Sequence, residues 1–318
     1  MRLFFSMLLL LAVASMQETR AQSYPSRPIH FVVPFAGGTS DALSRVLAQR
    51  LMERLGQPVV VENRSGAEGI IATNTVAKAP PDGHTIGFAV TSIIAVQPHT
   101  RASLPYDPLS DLVFVGQIAY VQFALAIHPS LNVPSVKQLV ALARARPGHL
   151  TYASASEGGQ ISGEMFKLAT GTDIVLIPYK GAGPATTDLL SGQVNMIFAS
   201  PGSIIPHVKT GRLLALAVTG ERRMNALRGV PTMHEAGVPN YEYSSAYGII
   251  APRGVPEPVV RRLNAEIVAA LEVPEIAEKF AAQGVEPRSS SPEQYAAAMR
   301  AESQRYRELL PRIGFKRQ

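Results

Sequence analysis

The chain of 318 residues carries 30 lysine and arginine residues against 24 aspartate and glutamate residues, a formal net charge of +6, and contains no cysteine. The absence of cysteine excludes thiol nucleophiles, thiolate metal ligands and a small disulfide-stapled scaffold. The basic residues are scattered along the sequence without an interleaved aromatic stripe, so we expect no nucleic-acid partner.

The N-terminus predicts a secretory signal peptide over residues 1–21. Met1-Arg2 gives a positive start, Leu3 to Val13 is an apolar run, and Thr19-Arg20-Ala21 suits a signal peptidase. The apolar run is shorter than the ~20 residues that a membrane-spanning helix needs. We therefore expect export to the periplasm, with cleavage of the signal and about two domains in the mature chain.

Short β-branched runs alternate with longer helical patterns, which predicts an α/β architecture with largely parallel sheets. The predicted strands are Ile29–Phe35, Pro58–Glu62, Thr85–Thr91, Phe123–Ile127, Leu150–Ala155, Val175–Pro178, Met196–Phe198, Leu213–Val218 and Gly248–Ala251. The predicted helices run from Thr39 to Gly56, Ser135 to Pro147, Ile161 to Ala169, Pro184 to Leu190, Pro256 to Leu271, Glu275 to Ala282 and Pro292 to Leu310.

This order of elements predicts two lobes, the second inserted into the first. We assign residues 22–121 and 246–318 to lobe 1 and residues 122–245 to lobe 2. The chain would cross between them near Ala119–Gln122 and Ser244–Tyr247, and two such crossings form a hinge.

Catalytic and cofactor motifs are absent. The seven histidines form no H-x-H or H-E-x-x-H pattern, and neither a P-loop, a G-x-G-x-x-G helix start nor a G-x-S-x-G elbow occurs. The aspartates at positions 41, 82, 107 and 188 fit cap and turn positions. We therefore expect no metal site, no cofactor and no catalytic residue.

Two turns rich in Gly, Ser and Thr follow predicted strands, at Phe35–Asp41 and at Tyr152–Gln160. Glycine lets a ligand approach the main chain, and the free N–H groups at a helix start attract anions. Ligands of open α/β sheets bind at the carboxyl ends of strands. One such turn in each lobe predicts a cleft for a small anionic solute. The alternative is that both are ordinary turns that serve only the fold.

At these residues the chain resembles the Bug-type substrate-binding proteins of tripartite tricarboxylate transporters. The resemblance runs from Tyr24 nearly to the C-terminus. The matching segments are Val33-Pro34-Phe35 with Gly37-Gly38 and Asp41, Leu55 to Arg64, Ala79 to Gly83, Leu104 to Pro108, Tyr152 to Ala155, Pro178 to Gly181, Val230 to Thr232, Glu235 to Gly237 and Leu263 to Glu266. It implies a type II periplasmic-binding-protein fold, two α/β lobes joined by a two-crossing hinge that close around a small carboxylate, an amino acid or an aromatic acid.

The resemblance also implies which residues hold the ligand, through backbone amides and hydroxyls of the two loops. By position these are Phe35, Ala36, Gly37, Gly38, Thr39, Asp41, Thr91 and Ser92 in lobe 1, and Ser154, Ser156, Gly158, Tyr179, Ala199 and Ser200 in lobe 2. Asp41 could instead only brace its loop, and Tyr179 could simply pack at the lobe edge.

Three departures from the family pattern fall in the predicted cleft. Only Ala36 separates Phe35 from the Gly-Gly pair, and the second loop is about two residues shorter than usual, with Ser156 in place of Gly. Ala199 stands where the family often has an Asp that holds an amino group or hydroxyl, which argues against an α-amino acid.

We thus expect an extracytoplasmic solute receptor, a monomer, that binds a small organic carboxylate and delivers it to a membrane permease of a tripartite tricarboxylate-type system. Two alternatives remain at this stage. One is a periplasmic sensor that presents its closed form to a signalling partner, and the other is an enzyme on the same fold.

Overall fold

The computed structural model describes residues 24–315 and residue 317, which form two β-sheets with helices packed around them. The strands are β1 (Ile29–Val33), β2 (Val59–Asn63), β3 (Thr85–Val90), β4 (Leu112–Gln122), β5 (Ala124–Ile127), β6 (Thr151–Ser154), β7 (Val175–Pro178), β8 (Met196–Ala199), β9 (Leu214–Val218), β10 (Ser244–Pro252) and β11 (Glu286–Pro287). The helices are α1 (Thr39–Leu55), α2 (Ile70–Ala77), α3 (Gln97–Thr100), α4 (Val136–Ala145), α5 (Glu157–Thr170), α6 (Ala182–Leu190), α7 (Pro201–Lys209), α8 (Glu257–Leu271), α9 (Pro274–Ala282) and α10 (Pro292–Arg312). The predicted signal peptide lies outside the described residues.

The first sheet contains six strands in the order β11-β4-β10-β3-β1-β2. β1 runs parallel to β2 and β3, whereas β10 runs antiparallel to β3 and β4. The sequence of β1 is apolar apart from the half-buried His30 because both faces of the strand are covered, and Phe31 and Val33 are fully buried. The strand ends at Val33 rather than at the predicted Phe35, since Pro34 has no N–H to donate to a ladder.

The second sheet contains five strands in the order β7-β6-β8-β5-β9. β6 lies between β7 and β8 and runs parallel to both, and β5 runs antiparallel to β8 and β9. Helix α5, which follows β6, begins at Glu157 rather than at the predicted Ile161. Ser156 caps it, because the hydroxyl oxygen of Ser156 accepts a hydrogen bond from Gly159 N at 3.2 Å. The first turn of α5 is rich in glycine, which is typical of a loop, and for this reason the prediction began the helix too late.

Five of the labelled elements were not predicted, namely β4, β11, α2, α3 and α7. Helix α7 begins at Pro201 and contains Pro206, and prolines inside a segment argue against a helix. Pro201 occupies the first position, where the missing N–H costs nothing. β4 was predicted only at its end, as a crossing between lobes.

The chain passes from one sheet to the other between β4 and β5, at Phe123, and returns at the start of β10. Both crossings are held by Thr219, which is fully buried. Its hydroxyl accepts a hydrogen bond from Phe123 N at 2.8 Å and donates one to Tyr243 O at 2.7 Å. These contacts lie beside the predicted hinge. The lobe boundaries at 121/122 and 245/246 stay a prediction, and "lobe 1" and "lobe 2" below denote the residues around the first and second sheets.

Candidate functional site

In each lobe, three parallel strands are followed by three loops on the same side of the sheet. In lobe 1 the carboxyl ends of β1, β2 and β3 lie at one edge of the sheet, and in lobe 2 the same holds for β6, β7 and β8. Ligand sites of open α/β sheets occur at such edges. The predicted site residues lie at the last positions of these strands, on the loops, or in the first turns that follow them.

The first loop of lobe 1, residues 34–38, connects β1 to α1 and is open to solvent. Phe35 is 38% exposed, and Ala36, Gly37 and Gly38 are exposed as well. Gly37 has a φ of 69°, a left-handed value that favours glycine, whereas Gly38 has an ordinary φ of −125°. A Cβ atom built on either glycine would meet no atom within 4 Å. The space beside this loop is therefore free.

The loop is braced from behind by Asp41 and Asn63. Asp41 Oδ2 accepts a hydrogen bond from Gly37 N at 3.3 Å, and Asn63 Nδ2 donates to Asp41 Oδ1 at 3.0 Å and to Phe35 O at 3.3 Å. Arg45 adds an ion pair to Asp41 Oδ1 at 3.1 Å. Burial raises the pKa of Asp41, but the hydrogen bonds from Asn63, Arg45 and Gly37 outweigh it and lower the pKa below its usual range. Asp41 thus has its described polar contacts within the lobe, as the bracing alternative anticipated.

Asn63 was missed as a member of this site by sequence reasoning. It is the last residue of β2, and a polar residue after the valines of that strand was the available signal. Because β1 and β2 are parallel and pair Val33 with Asn63, the asparagine lies beside the loop that follows β1. The pairing register was not readable from the sequence.

At the end of β3, Thr91 joins two strands and Ser92 begins a helical turn. The Thr91 hydroxyl accepts a hydrogen bond from Ala246 N at 2.8 Å and donates to Ala246 O at 3.2 Å. It therefore ties β3 to the start of β10, next to the hinge. Ser92 is half-buried.

The loop between β6 and α5 uses its side chains locally. Ser154, which is buried, donates its hydroxyl to Ser156 O at 2.8 Å, and Ser156 caps the helix. Gly158 lies against the hinge, since a Cβ built on it would come within 2.2 Å of the Tyr243 hydroxyl and 3.3 Å of the Phe123 ring. Glycine is thus required here by packing against the hinge.

Tyr179, in the loop after β7, donates its hydroxyl to Asp188 Oδ2 in α6 at 2.7 Å. Burial together with this bond and the Asp188 charge raises the pKa of Tyr179 to about 12. Tyr179 N also donates to Ser154 O at 2.8 Å, which joins the loops after β6 and β7. The phenol is therefore fixed within lobe 2 and half-buried.

The start of α7 is the part of lobe 2 that approaches the first loop of lobe 1. Ala199 ends β8 and is buried, and Ser200 is the N-cap residue of α7, although its side chain makes no cap hydrogen bond. A Cβ built on Gly202 would lie 3.2 Å from the Thr39 hydroxyl oxygen and 3.1 Å from Gln283 Oε1. Thr39 is the first residue of α1, whose N-cap Gly38 likewise makes no side-chain cap bond. Two helix starts without a side-chain cap thus meet across the lobes.

Two further contacts hold the lobes together. A Cβ at Gly284 in lobe 1 would come within 2.3 Å of Pro201 Cβ in lobe 2, so this turn packs against the start of α7. Elsewhere Thr100 donates its hydroxyl to Glu157 Oε1 at 2.7 Å, and both residues are buried. Sequence reasoning identified none of these four residues, because an inter-lobe contact depends on how the lobes are placed.

A cavity of about 320 Å³ lies at the hinge. Its lining residues are Thr91, Gln117, Tyr120, Gln122, Glu221, Arg222, Glu242, Ser244, Ala246, Glu286, Arg288, Ala298, Met299 and Glu302. Among the predicted site residues only Thr91 is part of this lining. Within residues 24–315 and 317, no cluster of three or more metal-ligating side chains occurs, and no helix has both the length and the apolar character to cross a bilayer.

Comparison with known proteins gives the family. Residues 43–315 match the model described as "Tripartite tricarboxylate transporter family receptor". The chain belongs to this family. Protein BugT of Bordetella pertussis, strain Tohama I, is 39% identical to it over 300 residues, 93% of this chain and 92% of that protein. The membership predicted from the loop motifs is confirmed.

Two solved structures are similar to this receptor over most of its length. "R. palustris Rpa4515 with adipate" has a TM-score of 0.87 and 37% identity, covering 93% of this chain and all of that one (100%). MatC from Rhodopseudomonas palustris with bound malate has a TM-score of 0.82 and 27% identity, covering 90% and 100%. The α/β, two-lobed receptor fold is thereby confirmed, and the chain is a solute receptor of the tripartite tricarboxylate transporter type.

Proposed function

We propose that this receptor closes its two lobes around a short aliphatic dicarboxylate in the periplasm and delivers it, as a monomer, to a membrane permease. The observation that carries the proposal is the meeting of the starts of α1 and α7 across the lobes. Gly202 of α7 approaches Thr39 of α1, and neither helix start has a side-chain cap.

Uncapped helix starts supply the charge that a carboxylate needs. The first N–H groups of a helix have no partner inside it, and the helix dipole adds about half a positive charge at that end. A carboxylate that accepts these hydrogen bonds satisfies them without an arginine or lysine. Gly37 and Gly38 leave open space beside the α1 start, so an anion can reach the main chain.

Two such helix starts, one in each lobe, favour a ligand that is negatively charged at both ends. Adipate and malate, the acids in the solved structures of two relatives, are both short aliphatic dicarboxylates. Ala199 places a buried methyl group after β8 and offers no carboxylate to an ammonium group. These observations support a dicarboxylate over an α-amino acid.

Binding between the two lobes also produces a closed form that the permease can distinguish from the open one. A ligand that bridges both lobes stabilises the closed arrangement by its differential affinity for it. Five polar side chains of the predicted site are held by hydrogen bonds within their own lobe, and none of these five forms an acid–base pair with a nucleophile; they are Asp41, Thr91, Ser154, Ser156 and Tyr179. We therefore propose transport without catalysis.

A calorimetric and thermal-shift screen of carboxylic acids tests the proposal. The mature chain is titrated with adipate, malate, succinate, a monocarboxylate of equal length and the matching amino acid. We expect micromolar or tighter binding of at least one dicarboxylate and at least about tenfold weaker binding of its monocarboxylate analogue, about 1.4 kcal/mol. Binding of the amino acid alone, or of none of the acids, contradicts the proposal.

A further inference from the structure

Glu157 is a buried carboxyl group at a contact between the lobes. It is the first residue of α5 in lobe 2 and is only 9% exposed. Its Oε1 accepts a hydrogen bond at 2.7 Å from the hydroxyl of Thr100, which lies in α3 of lobe 1 and is 3% exposed. This hydrogen bond therefore joins the two lobes.

The second carboxyl oxygen, Glu157 Oε2, is buried and has no hydrogen-bond partner among the described residues. An ionised carboxylate has two acceptor oxygens, and burying one of them without a donor is strongly unfavourable. A proton on the carboxyl group removes the charge and most of this penalty. The geometry therefore favours the neutral acid while Glu157 is covered by the other lobe.

Taken together, the surroundings of Glu157 also favour the neutral form of its carboxyl group. Burial raises the pKa of its carboxyl group to about 7, although the Thr100 hydrogen bond lowers it, and the charges of Glu68 and Arg101 raise and lower it in turn. Glu68 and Arg101 are themselves paired with each other in lobe 1. The remaining titratable groups that interact with Glu157 are the phenols of Tyr243 at the hinge and Tyr306 in α10, and burial raises the pKa of both far above neutrality.

We propose that closure of the lobes over Glu157 is a proton-binding step, so that the closed, ligand-holding form of this receptor carries one proton more than the open form. The proposal rests on the proposed function only in assuming that the lobes open and close. In this proposal Glu157 influences the affinity of the receptor for its ligand through lobe closure, although it does not contact the ligand.

The sign of the effect follows from the two environments. In the open form the carboxyl group would face water, where its pKa is close to the ordinary 4.5, and in the closed form it is about 7. The raised value means that closure is favoured fully below the ordinary pKa and that this advantage is lost as the pH rises through the closed-form pKa. Between the two values the ratio of closed to open form falls by up to about tenfold per pH unit.

A distance measurement between the lobes tests this without any ligand. Because the chain has no cysteine, Met52→Cys and Leu168→Cys place one spin label on an exposed site of each lobe. We expect the closed-to-open ratio to fall at least about tenfold between pH 5 and pH 8. In Glu157→Gln, which mimics the neutral acid, the ratio stays at the high value across this range.

Two further variants make the test specific. Glu278→Gln removes an exposed carboxyl group of α9 and is expected to keep the wild-type pH dependence. Thr100→Val removes the hydrogen bond that stabilises the charged form, so the fall in the closed-to-open ratio moves to higher pH. A ratio independent of pH in the wild type, or the same pH dependence in Glu157→Gln, overturns the proposal.

Calorimetry then separates this proposal from the proposed function. If adipate binds, titration in two buffers of different ionisation enthalpy at pH 6 is expected to show more proton uptake in the wild type than in Glu157→Gln, since the protons exchanged by adipate itself are common to both. Adipate binding with equal proton exchange in the two proteins contradicts the role of Glu157 and leaves the receptor function intact. If adipate does not bind, the result concerns only the identity of the ligand. The spin-label distances still decide the role of Glu157.

Discussion

The starts of α1 and α5 look alike in sequence and differ in structure. Each follows a buried parallel strand through a turn rich in glycine and serine, and the sequence predicts an anion at both. At α1 the turn is exposed, the N-cap is Gly38 and no side chain caps the helix. At α5 the hydroxyl of Ser156 caps the helix and Gly158 is packed against the hinge. A glycine-rich turn thus predicts where a helix begins, but not whether its N–H groups are free.

The difference changes which pair of helix starts we propose to face the ligand. The α7 start, which sequence reasoning did not recognise as a helix, approaches Thr39 of α1 and lacks a side-chain cap. The α5 start instead contributes Glu157 to a contact with Thr100. We therefore propose that the turn before α1 binds the ligand, whereas the start of α5 joins the lobes.

The largest effect is expected from closing the space at the α1 start. Gly38→Leu places a side chain where no atom lies within 4 Å, at an ordinary φ of −125°. We expect the fold to tolerate it and the affinity for the dicarboxylate to fall by at least about a hundredfold, near 3 kcal/mol. Calorimetry measures the affinity, and thermal unfolding checks the fold.

Gly229→Leu is the matched control, because Gly229 is also exposed and has no atom within 4 Å of a built Cβ. It should retain wild-type affinity. If Gly38→Leu binds as tightly as Gly229→Leu, the first loop does not belong to the site.

At α5 the same class of change should affect folding instead. Gly158→Ala would bring Cβ within 2.2 Å of the Tyr243 hydroxyl, and Tyr243 is 2% exposed and has little room to move. Overpacking of this kind lowers the free energy of unfolding by about 1–3 kcal/mol. Chemical denaturation measures it, with Gly229→Ala as the control. An unchanged or increased stability of Gly158→Ala contradicts the packing role.

The smallest effect concerns the cap that distinguishes the two helices. Ser156→Ala removes the acceptor for Gly159 N and should lower the free energy of unfolding by about 1 kcal/mol. Because Ser156 acts as a cap here, Ser156→Gly should restore most of that stability, and both variants should bind the dicarboxylate within about twofold of the wild type. A tenfold loss of affinity in Ser156→Ala with unchanged stability assigns the hydroxyl to the ligand instead.

Much of the fold was predictable because it depends on local patterns. The apolar run of β1, the serine cap at Ser135 and the terminal glycine of α1 at Gly56 all act within a few residues. The order of these elements then predicted two lobes, and the family motifs implied the type II fold. Helix α7 was missed because it contains two prolines, and prolines in a sequence argue against a helix.

The site was less predictable because its contacts join distant residues. Asn63 reaches the first loop only through the parallel pairing of β1 and β2. The sequence makes the Thr91 hydroxyl a candidate to bind the ligand. In the structure this hydroxyl accepts a hydrogen bond from Ala246 N and so joins β3 to β10. Whether a polar side chain is free for a ligand depends on partners far away in the chain, and composition does not reveal them.

The most direct test of this account is a crystal structure of the receptor with a bound dicarboxylate. We expect one carboxylate within hydrogen-bond distance of the main-chain N–H groups at the start of α1 and the other at the start of α7, with Glu157 still on Thr100. A dicarboxylate bound in the hinge cavity beside Thr91 and Tyr120, with the α1 start unoccupied, would contradict the account.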